Sequence, residues 1–259
     1  MITAGVDIGS RTAKALIFED NKILSYGIIP TGADSIKTAQ NVMNMALKNT
    51  ALSLRDIGYL VSTGYGRVLV PFANKNITEI SCHAKGAHWF FPTVRTVLDL
   101  GGQDCKAIRC NEKGQVTNFV MNDKCAAGTG RFMEVMAKTL ELPLDDIGKL
   151  SLQTVKEPCS ISSVCAVFAK SEVLALLRHG EDKNDILAGL CEAFASRVFN
   201  LLSMIEIERE FVISGGIAKN IGLVRRLEER AGLSANIPSE PQIVGALGAA
   251  VFAKELLER

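Results

Sequence analysis

Two short stretches of this chain end an apolar run on an aspartate and follow it at once with glycine. They are Asp7-Ile-Gly9-Ser10-Arg11-Thr12, with Lys14 beyond, and Asp99-Leu-Gly101-Gly102-Gln103-Asp104. Glycine lacks a Cβ, so its backbone N–H groups can come close to a phosphate and satisfy its oxygens. An aspartate at a strand end can hold a hydrated Mg²⁺ or orient an attacking water. Singly, each stretch reads as a tight turn; together, facing each other, they would form a two-jawed phosphate clamp. Asp7, Gln103 and Asp104 are therefore the candidates for catalysis, and Asp7 and Asp99 for holding Mg²⁺ through water. Gly9, Ser10, Arg11, Thr12, Lys14, Gly101 and Gly102 are candidates for the phosphates. A third glycine pair, Gly215-Gly216, ends a later apolar run and leads through Ala218 and Lys219 into a helical pattern, a turn suited to lie under a base or ribose.

The seven cysteines pose a second chemical question. Cys125 precedes a helical pattern carrying Phe132, Val135, Met136 and Leu140 on one face, and Cys165 precedes another, with Ser162 or Ser163 as its expected N-cap. Both thiols are expected near a helix N-terminus, where the dipole and free N–H groups favour a thiolate. An Fe–S cluster takes about four thiolates, so two per chain suffice only across a two-fold dimer. A within-chain set of Cys125, Cys159, Cys165 and one other is the competing arrangement, and a packing role stays open for both. Cys82, Cys105, Cys110 and Cys191 read as core residues, since free cysteine behaves as a small hydrophobe; Cys159 is undecided. His83, His88 and His179 are scattered without metal-ligand spacing.

These residues need a frame. Strands are expected at 2–8, 13–19 and 22–29, then a helix at 33–52, a strand at 58–63 and a helix at 78–89. The pattern then restarts, with strands at 96–100, 106–109 and 116–121, helices at 131–141, 165–178 and 184–206, a strand at 211–214, and helices at 220–231 and 242–257. An aspartate–glycine turn followed by two strands thus occurs twice, implying two similar lobes, 1–93 and 94–259, with the last helix free to pack back on the first lobe. The composition bounds the class. In 259 residues, 47% are hydrophobic and 22% charged, with 29 basic against 28 acidic side chains and a formal net charge of +1. That balance argues against an electrostatic nucleic-acid binder, and the apolar content against disorder. No apolar run approaches the roughly 20 residues of a membrane helix, and the start lacks a secretory pattern, so no membrane partner and a cytoplasmic location are expected.

The ordered set of turns, Asp7-Ile-Gly-Ser, Asp99-Leu-Gly-Gly-Gln-Asp104 and Ser214-Gly-Gly-Ile-Ala-Lys-Asn220, resembles the nucleotide site of the actin, hexokinase and Hsp70 superfamily. That implies an α/β, two-lobed, ribonuclease H-like ATPase fold with duplicated lobes. Four further strings are similar to the 2-hydroxyacyl-CoA dehydratase activators, the BadF/BadG-type ATPases: Asp-Lys-Cys125-Ala-Ala-Gly128-Thr129-Gly130-Arg-Phe, Ser-Ile-Ser-Ser-Val-Cys165-Ala-Val-Phe-Ala-Lys-Ser-Glu-Val, Thr63-Gly-Tyr-Gly-Arg67 and Val244-Gly245-Ala-Leu-Gly-Ala-Ala250. This resemblance adds Gly128, Thr129, Gly130 and Gly245 to the nucleotide set. It implies a homodimer with one [4Fe–4S] cluster held by Cys125 and Cys165 of each chain. It also implies MgATP hydrolysis coupled to electron transfer, with ferredoxin or flavodoxin as donor and an Fe–S dehydratase or reductase as acceptor. Its alternatives are the ATPase subunit of a benzoyl-CoA reductase or of a double-cubane cluster reductase system. A small-molecule kinase of the same fold and an actin-like nucleotide-dependent scaffold are the readings from other classes.

Overall fold

The computed structural model describes residues 1–48, 50–162 and 165–258. The first half holds β1 (Ile2–Ile8), β2 (Thr12–Glu19), β3 (Lys22–Pro30), α1 (Ser35–Leu47), β4 (Tyr59–Thr63), β5 (Lys75–Asn76) and α2 (Glu79–Phe90). The second holds β6 (Thr96–Leu100), β7 (Cys105–Cys110), β8 (Val116–Asn122), α3 (Gly130–Leu140), α4 (Ile147–Leu150), α5 (Ala166–Arg178), α6 (Lys183–Leu202), β9 (Phe211–Ser214), α7 (Ile221–Ala231), β10 (Ala235–Asn236) and α8 (Val244–Leu257). They form two five-stranded sheets, ordered β3-β2-β1-β4-β5 and β10-β9-β6-β7-β8. In each sheet the first three strands form an antiparallel meander, and the remaining two run parallel to the leading strand. The same topology is thus built twice.

The long helices carry their stop and start signals in the sequence. Asp34 caps α1 through the Lys37 N–H, Thr78 caps α2 through Ser81, and Asn220 caps α7 through Leu223, each donating N–H accepted by the capping side chain. Gly232, in the left-handed region, closes α7. Two expectations shift, and two strands are added. The helix expected over 33–52 ends at Leu47, and that over 184–206 ends at Leu202, with Ile205 buried just beyond. Strands β5 and β10 have two residues each, too short for any alternation to mark them.

The two sheets share their covering helices. On one side α2 leaves the first half of the chain and packs Ala84 and Ala87 against Val97, Ile108 and Val212 of the second sheet. In return α8 packs Ala246, Leu247 and Ala250 against Leu16 and Phe18 of the first. Trp89, at the end of α2, meets Phe18 edge-on at 5.9 Å, a packing role. On the far side of the second sheet, α3, α5 and α6 close the largest core cluster. The leading turns of both sheets consequently face each other across one cleft. No helix among the described residues is long and apolar enough to cross a membrane.

Candidate functional site

The site is built on a pairing that recurs in both sheets. Asp7, near the end of β1, stands directly opposite Lys14 of β2, and Asp99 of β6 stands directly opposite Lys106 of β7. Both hairpins therefore place a lysine ammonium beside the aspartate at the head of the turn. Lys14 Nζ lies 3.2 Å from Asp7 Oδ2. Lys106 Nζ lies 2.9 Å from Asp104 Oδ2, 3.4 Å from Asp99 Oδ2 and 3.7 Å from Glu79 Oε1. Burial acts to lower the affinity of Lys106 for its proton, but Asp99, Glu79 and Asp104 outweigh it and raise that affinity.

Behind the second turn lies a buried polar chain. Ser214 Oγ donates to Asp99 Oδ1 at 3.1 Å, and His83 Nδ1 lies 3.2 Å from Ser214 Oγ and 3.3 Å from Asp99 Oδ1. Burial holds His83 below the ordinary imidazole value, against the pull of Asp99. Burial also presses the Asp99 carboxyl upward, but His83, Lys106, Lys14 and the Ser214 hydroxyl together hold it below the ordinary carboxylate range. Glu79 has no such support: burial pushes it up to about 7, against Lys106 and with the repulsion of Asp104, Asp7 and Asp99.

Close approach requires glycine at two positions. Gly215 has φ +85°, and a Cβ there would sit 2.3 Å from the Leu100 carbonyl oxygen. At Gly245 a Cβ would lie 2.9 Å from His83 Nε2 and 3.3 Å from Asp7 Oδ2, so α8 closes the floor of the cleft only because that residue is glycine.

Between the two turns lies a cavity of about 50 Å³, lined by Asp7, Gly9, Ser10, Arg11, Thr12, Lys14, Tyr65, Glu79, His83, Asp99, Gly101, Gly102, Asp104, Lys106, Gly215 and Gln242. It shares Arg11, Thr12, Gly101, Gly102 and Gln242 with a neighbour of about 510 Å³, which Leu100, Gly130, Glu134, Leu144, Asp145, Lys149, Gly216, Ile217, Lys219 and Asn220 complete. That larger volume is in the range of small-molecule sites. A polar, glycine-walled slot opening into a larger, more apolar chamber matches the shape and polarity of a nucleoside polyphosphate. Arg11 spans the mouth, bonded to both Glu134 carboxylate oxygens at 2.8 and 2.7 Å.

Most sequence-predicted residues converge on these two cavities. Ala218 is buried beneath the turn, Gln103 is exposed and lines neither cavity, and Thr129 is buried with its hydroxyl donating to the Ala126 carbonyl. Gly128 lies against Arg197 and Val198 on the far side of that loop. Glu79, His83 and Lys106 are absent from the sequence-predicted set, and His83, one of three scattered histidines, lies in the site; Ser214 heads the third quoted turn. Lys106 had a signal, because the repeat runs on through Asp7-Ile-Gly-Ser-Arg-Thr-Ala-Lys14 and Asp99-Leu-Gly-Gly-Gln-Asp-Cys-Lys106, eight residues in each case. Glu79 and His83 sit four apart, on one face of α2.

The cysteines divide by exposure. Cys82, Cys105, Cys110 and Cys191 are buried, and burial pushes the first, third and fourth thiols up to about 12, 11 and 11, with Cys105 raised as well. Cys159 is half-buried, its thiol also raised by burial and neighbouring carboxylates. Cys125 and Cys165 are exposed. Asn122 clasps the Cys125 loop: its amide donates to the Cys125 and Ala127 carbonyls, and its oxygen accepts the Cys125 N–H. Cys125 stands five residues ahead of α3, in the loop after β8 rather than at the helix end. Cys165 is itself the N-cap of α5, in place of the expected serine. Ser162 instead donates its hydroxyl to Glu172, and Ser163 lies outside the described residues. Among the described residues no group of three His, Cys, Asp or Glu side chains could hold a metal ion, so the within-chain set of four is not assembled.

Two duplicated lobes with paired aspartate–glycine turns facing across a cleft define an ATPase of the actin and hexokinase type. The profile of the BadF/BadG/BcrA/BcrD ATPase family matches residues 4–253, and the chain belongs to that family. It is 44% identical over 260 residues to the activator of lactoyl-CoA dehydratase of Anaerotignum propionicum, covering 100% of both chains. It is 43% identical over 253 residues to the (R)-2-hydroxyglutaryl-CoA dehydratase activating ATPase of Acidaminococcus fermentans, covering 97% of this chain and 96% of that one. The solved activator of the 2-hydroxyisocaproyl-CoA dehydratase from Clostridium difficile, with bound ADPNP, superposes with a TM-score of 0.95 at 40% identity, over 100% of this chain and 96% of that one.

Proposed function

We propose that the chain is an ATP-dependent one-electron donor, a homodimer in which Cys125 and Cys165 of each copy hold one [4Fe–4S] cluster, serving a 2-hydroxyacyl-CoA dehydratase or a related Fe–S reductase. The observation that carries this reading is the exposure of these two thiols alone among seven cysteines, beside a cleft shaped for a nucleotide. Two thiolates are half of the set of about four that such a cluster takes, so the donor chemistry fits across two chains. The exposed Val167 and Phe168, just beyond Cys165, provide apolar surface for a second copy to cover. When bound, the cluster supplies a one-electron carrier of low potential.

The residues of the chain do the rest. MgATP lies between lobes 1–93 and 94–259. The backbone and side chains of Gly9, Ser10, Arg11, Thr12, Lys14, Gly101, Gly102 and Gly215 hold its phosphates. Asp7 and Asp99 face its Mg²⁺ through water, and Gly216, Ala218 and Lys219 underlie the nucleoside. The second phosphate turn is tied to the start of α3: the Gly101 and Gly102 carbonyls accept the N–H groups of Gly130 and Arg131 at 2.9 and 2.7 Å, just after the Cys125 loop. Closure of the lobes on the nucleotide displaces that loop and α5, which packs against α3. Hydrolysis reopens the cleft and makes transfer one-way. A ferredoxin or flavodoxin supplies the electron. Anaerobic purification tests the reading. The protein should be a brown dimer with about four irons per two chains, and Cys125→Ser or Cys165→Ser should each abolish the colour. A colourless, iron-free preparation with full ATPase activity would overturn it.

A further inference from the structure

The small cavity gathers four carboxylates, and three of them are engaged. Asp7 accepts from Lys14 at 3.2 Å. Asp99 accepts from Ser214 at 3.1 Å and from Lys106. Asp104 is paired with Lys106 at 2.9 Å. Glu79, the first residue of α2, is the fourth. Its nearest cation, Lys106 Nζ, stands 3.7 Å away, beyond hydrogen-bond length, and no described residue hydrogen-bonds its carboxylate. The side chain keeps 17% of its exposure, so it is open to the cleft and shielded elsewhere. A carboxylate whose lone pairs are not taken by a neighbour is the one free to accept a proton from water.

We propose that Glu79 is the general base of ATP hydrolysis, accepting the proton of the water that attacks the γ-phosphate held between the two phosphate turns. The proposal rests on the ATPase reading above. In the step, an O–H bond of the water breaks and its proton goes to a Glu79 carboxylate oxygen. The water oxygen bonds to the γ-phosphorus, and the bond from that phosphorus to the β–γ bridging oxygen breaks, its electron pair leaving with ADP. Glu79 then returns the proton to solvent through the cleft mouth. Asp7 and Asp104 are poorer acceptors because each would first have to give up its lysine.

The surroundings suit the task, since a general base works best when it titrates near the operating pH. Burial brings Glu79 to about 7. The groups facing it are Lys106 of β7, which favours the charged form, Asp104, Asp7 and Asp99, which oppose it, Tyr65 from the loop after β4, and Cys82 of its own helix. The dipole at the start of α2 also favours the carboxylate, but burial outweighs it.

Steady-state MgATP hydrolysis across the pH range around 7, with ADPNP binding measured alongside, tests the proposal. For the parent protein kcat should rise with pH through a limb near neutrality, because the base must be ionised. Glu79→Gln should lower kcat by about 10²–10⁴-fold and flatten that limb, with ADPNP affinity within about threefold. Glu79→Asp should recover part of the rate and the limb. A Glu79→Gln variant with parental kcat and pH profile would overturn the proposal alone. Loss of ADPNP binding in that variant would also overturn it, by assigning Glu79 to binding. A parent protein that binds nucleotide but hydrolyses none would overturn the functional reading itself.

Discussion

Replacing Lys106 with methionine keeps a stem of similar length and removes the charge that three carboxylates share. The lysine side chain is only 2% exposed, and Asp99 and Asp104 are nearly as buried, so water cannot take over its role. Breaking a buried pair by removing one partner costs about 3–5 kcal/mol, because the charge left behind is uncompensated. Lys14 offers an internal comparison at the equivalent place in the first hairpin. It holds one carboxylate and is 13% exposed, so Lys14→Met should cost less, about 1.5–3 kcal/mol. The pH dependence has a definite sign. Asp99 is held below its ordinary value, so its contribution is present above an unfolded value of about 3.9 and is lost as pH falls through the lower folded one. Lys106 is raised, so its contribution is present below an unfolded value of about 10.4 and is lost as pH rises beyond it. The gap between parent and Lys106→Met should therefore widen as pH rises through about 7, where Glu79 ionises beside Lys106, and narrow again below about pH 4. Urea unfolding of nucleotide-free protein at fixed chain concentration, followed by the fluorescence of the single Trp89, measures it. A gap below about 1 kcal/mol at neutral pH, or one unchanged on acidification, would refute the assignment of Lys106 as the shared counter-ion.

Gly215→Ala forces a Cβ to within 2.3 Å of the Leu100 carbonyl in the left-handed region. It should destabilise the fold by about 1–3 kcal/mol and weaken ADPNP binding in calorimetry. Brief alkylation of native, iron-free protein, read by peptide mass spectrometry, should label Cys125 and Cys165 while sparing Cys82, Cys105, Cys110 and Cys191, whose thiols are buried and raised.

What the sequence disclosed depended on whether the partners were close along the chain. The aspartate–glycine turns and the repeat of the meander were readable because each is local, and a hairpin sets Lys14 opposite Asp7 within eight residues. The duplication of the sheets followed from that repeat, and the ATPase fold from the resemblance of the three ordered turns to the actin, hexokinase and Hsp70 superfamily. His83 was not readable, because its partners Asp99 and Ser214 lie in the other sheet, Ser214 being 131 positions away. Glu79 looked like an ordinary first-turn acid of a capped helix, and its isolation appears only once β1, β6 and β7 close around it. The Cys165 turn was misjudged locally: serines nearby offered a conventional cap, but Ser162 is drawn to Glu172 and the cysteine takes the position. Exposure of the two thiols is a property of the packed chain, and it separates them from four other cysteines of identical chemistry.

The central claim is that nucleotide in the cleft controls what the two exposed cysteines hold. Its most direct test is the rate at which an iron chelator bleaches anaerobically purified, iron-loaded protein with ADP, with ATP and with a transition-state mimic of hydrolysis. Different rates and different visible spectra are expected for these states, through the hydrogen bonds that tie Gly101 and Gly102 to the start of α3. Rates and spectra indifferent to the nucleotide, in protein that binds and hydrolyses it, would contradict the account.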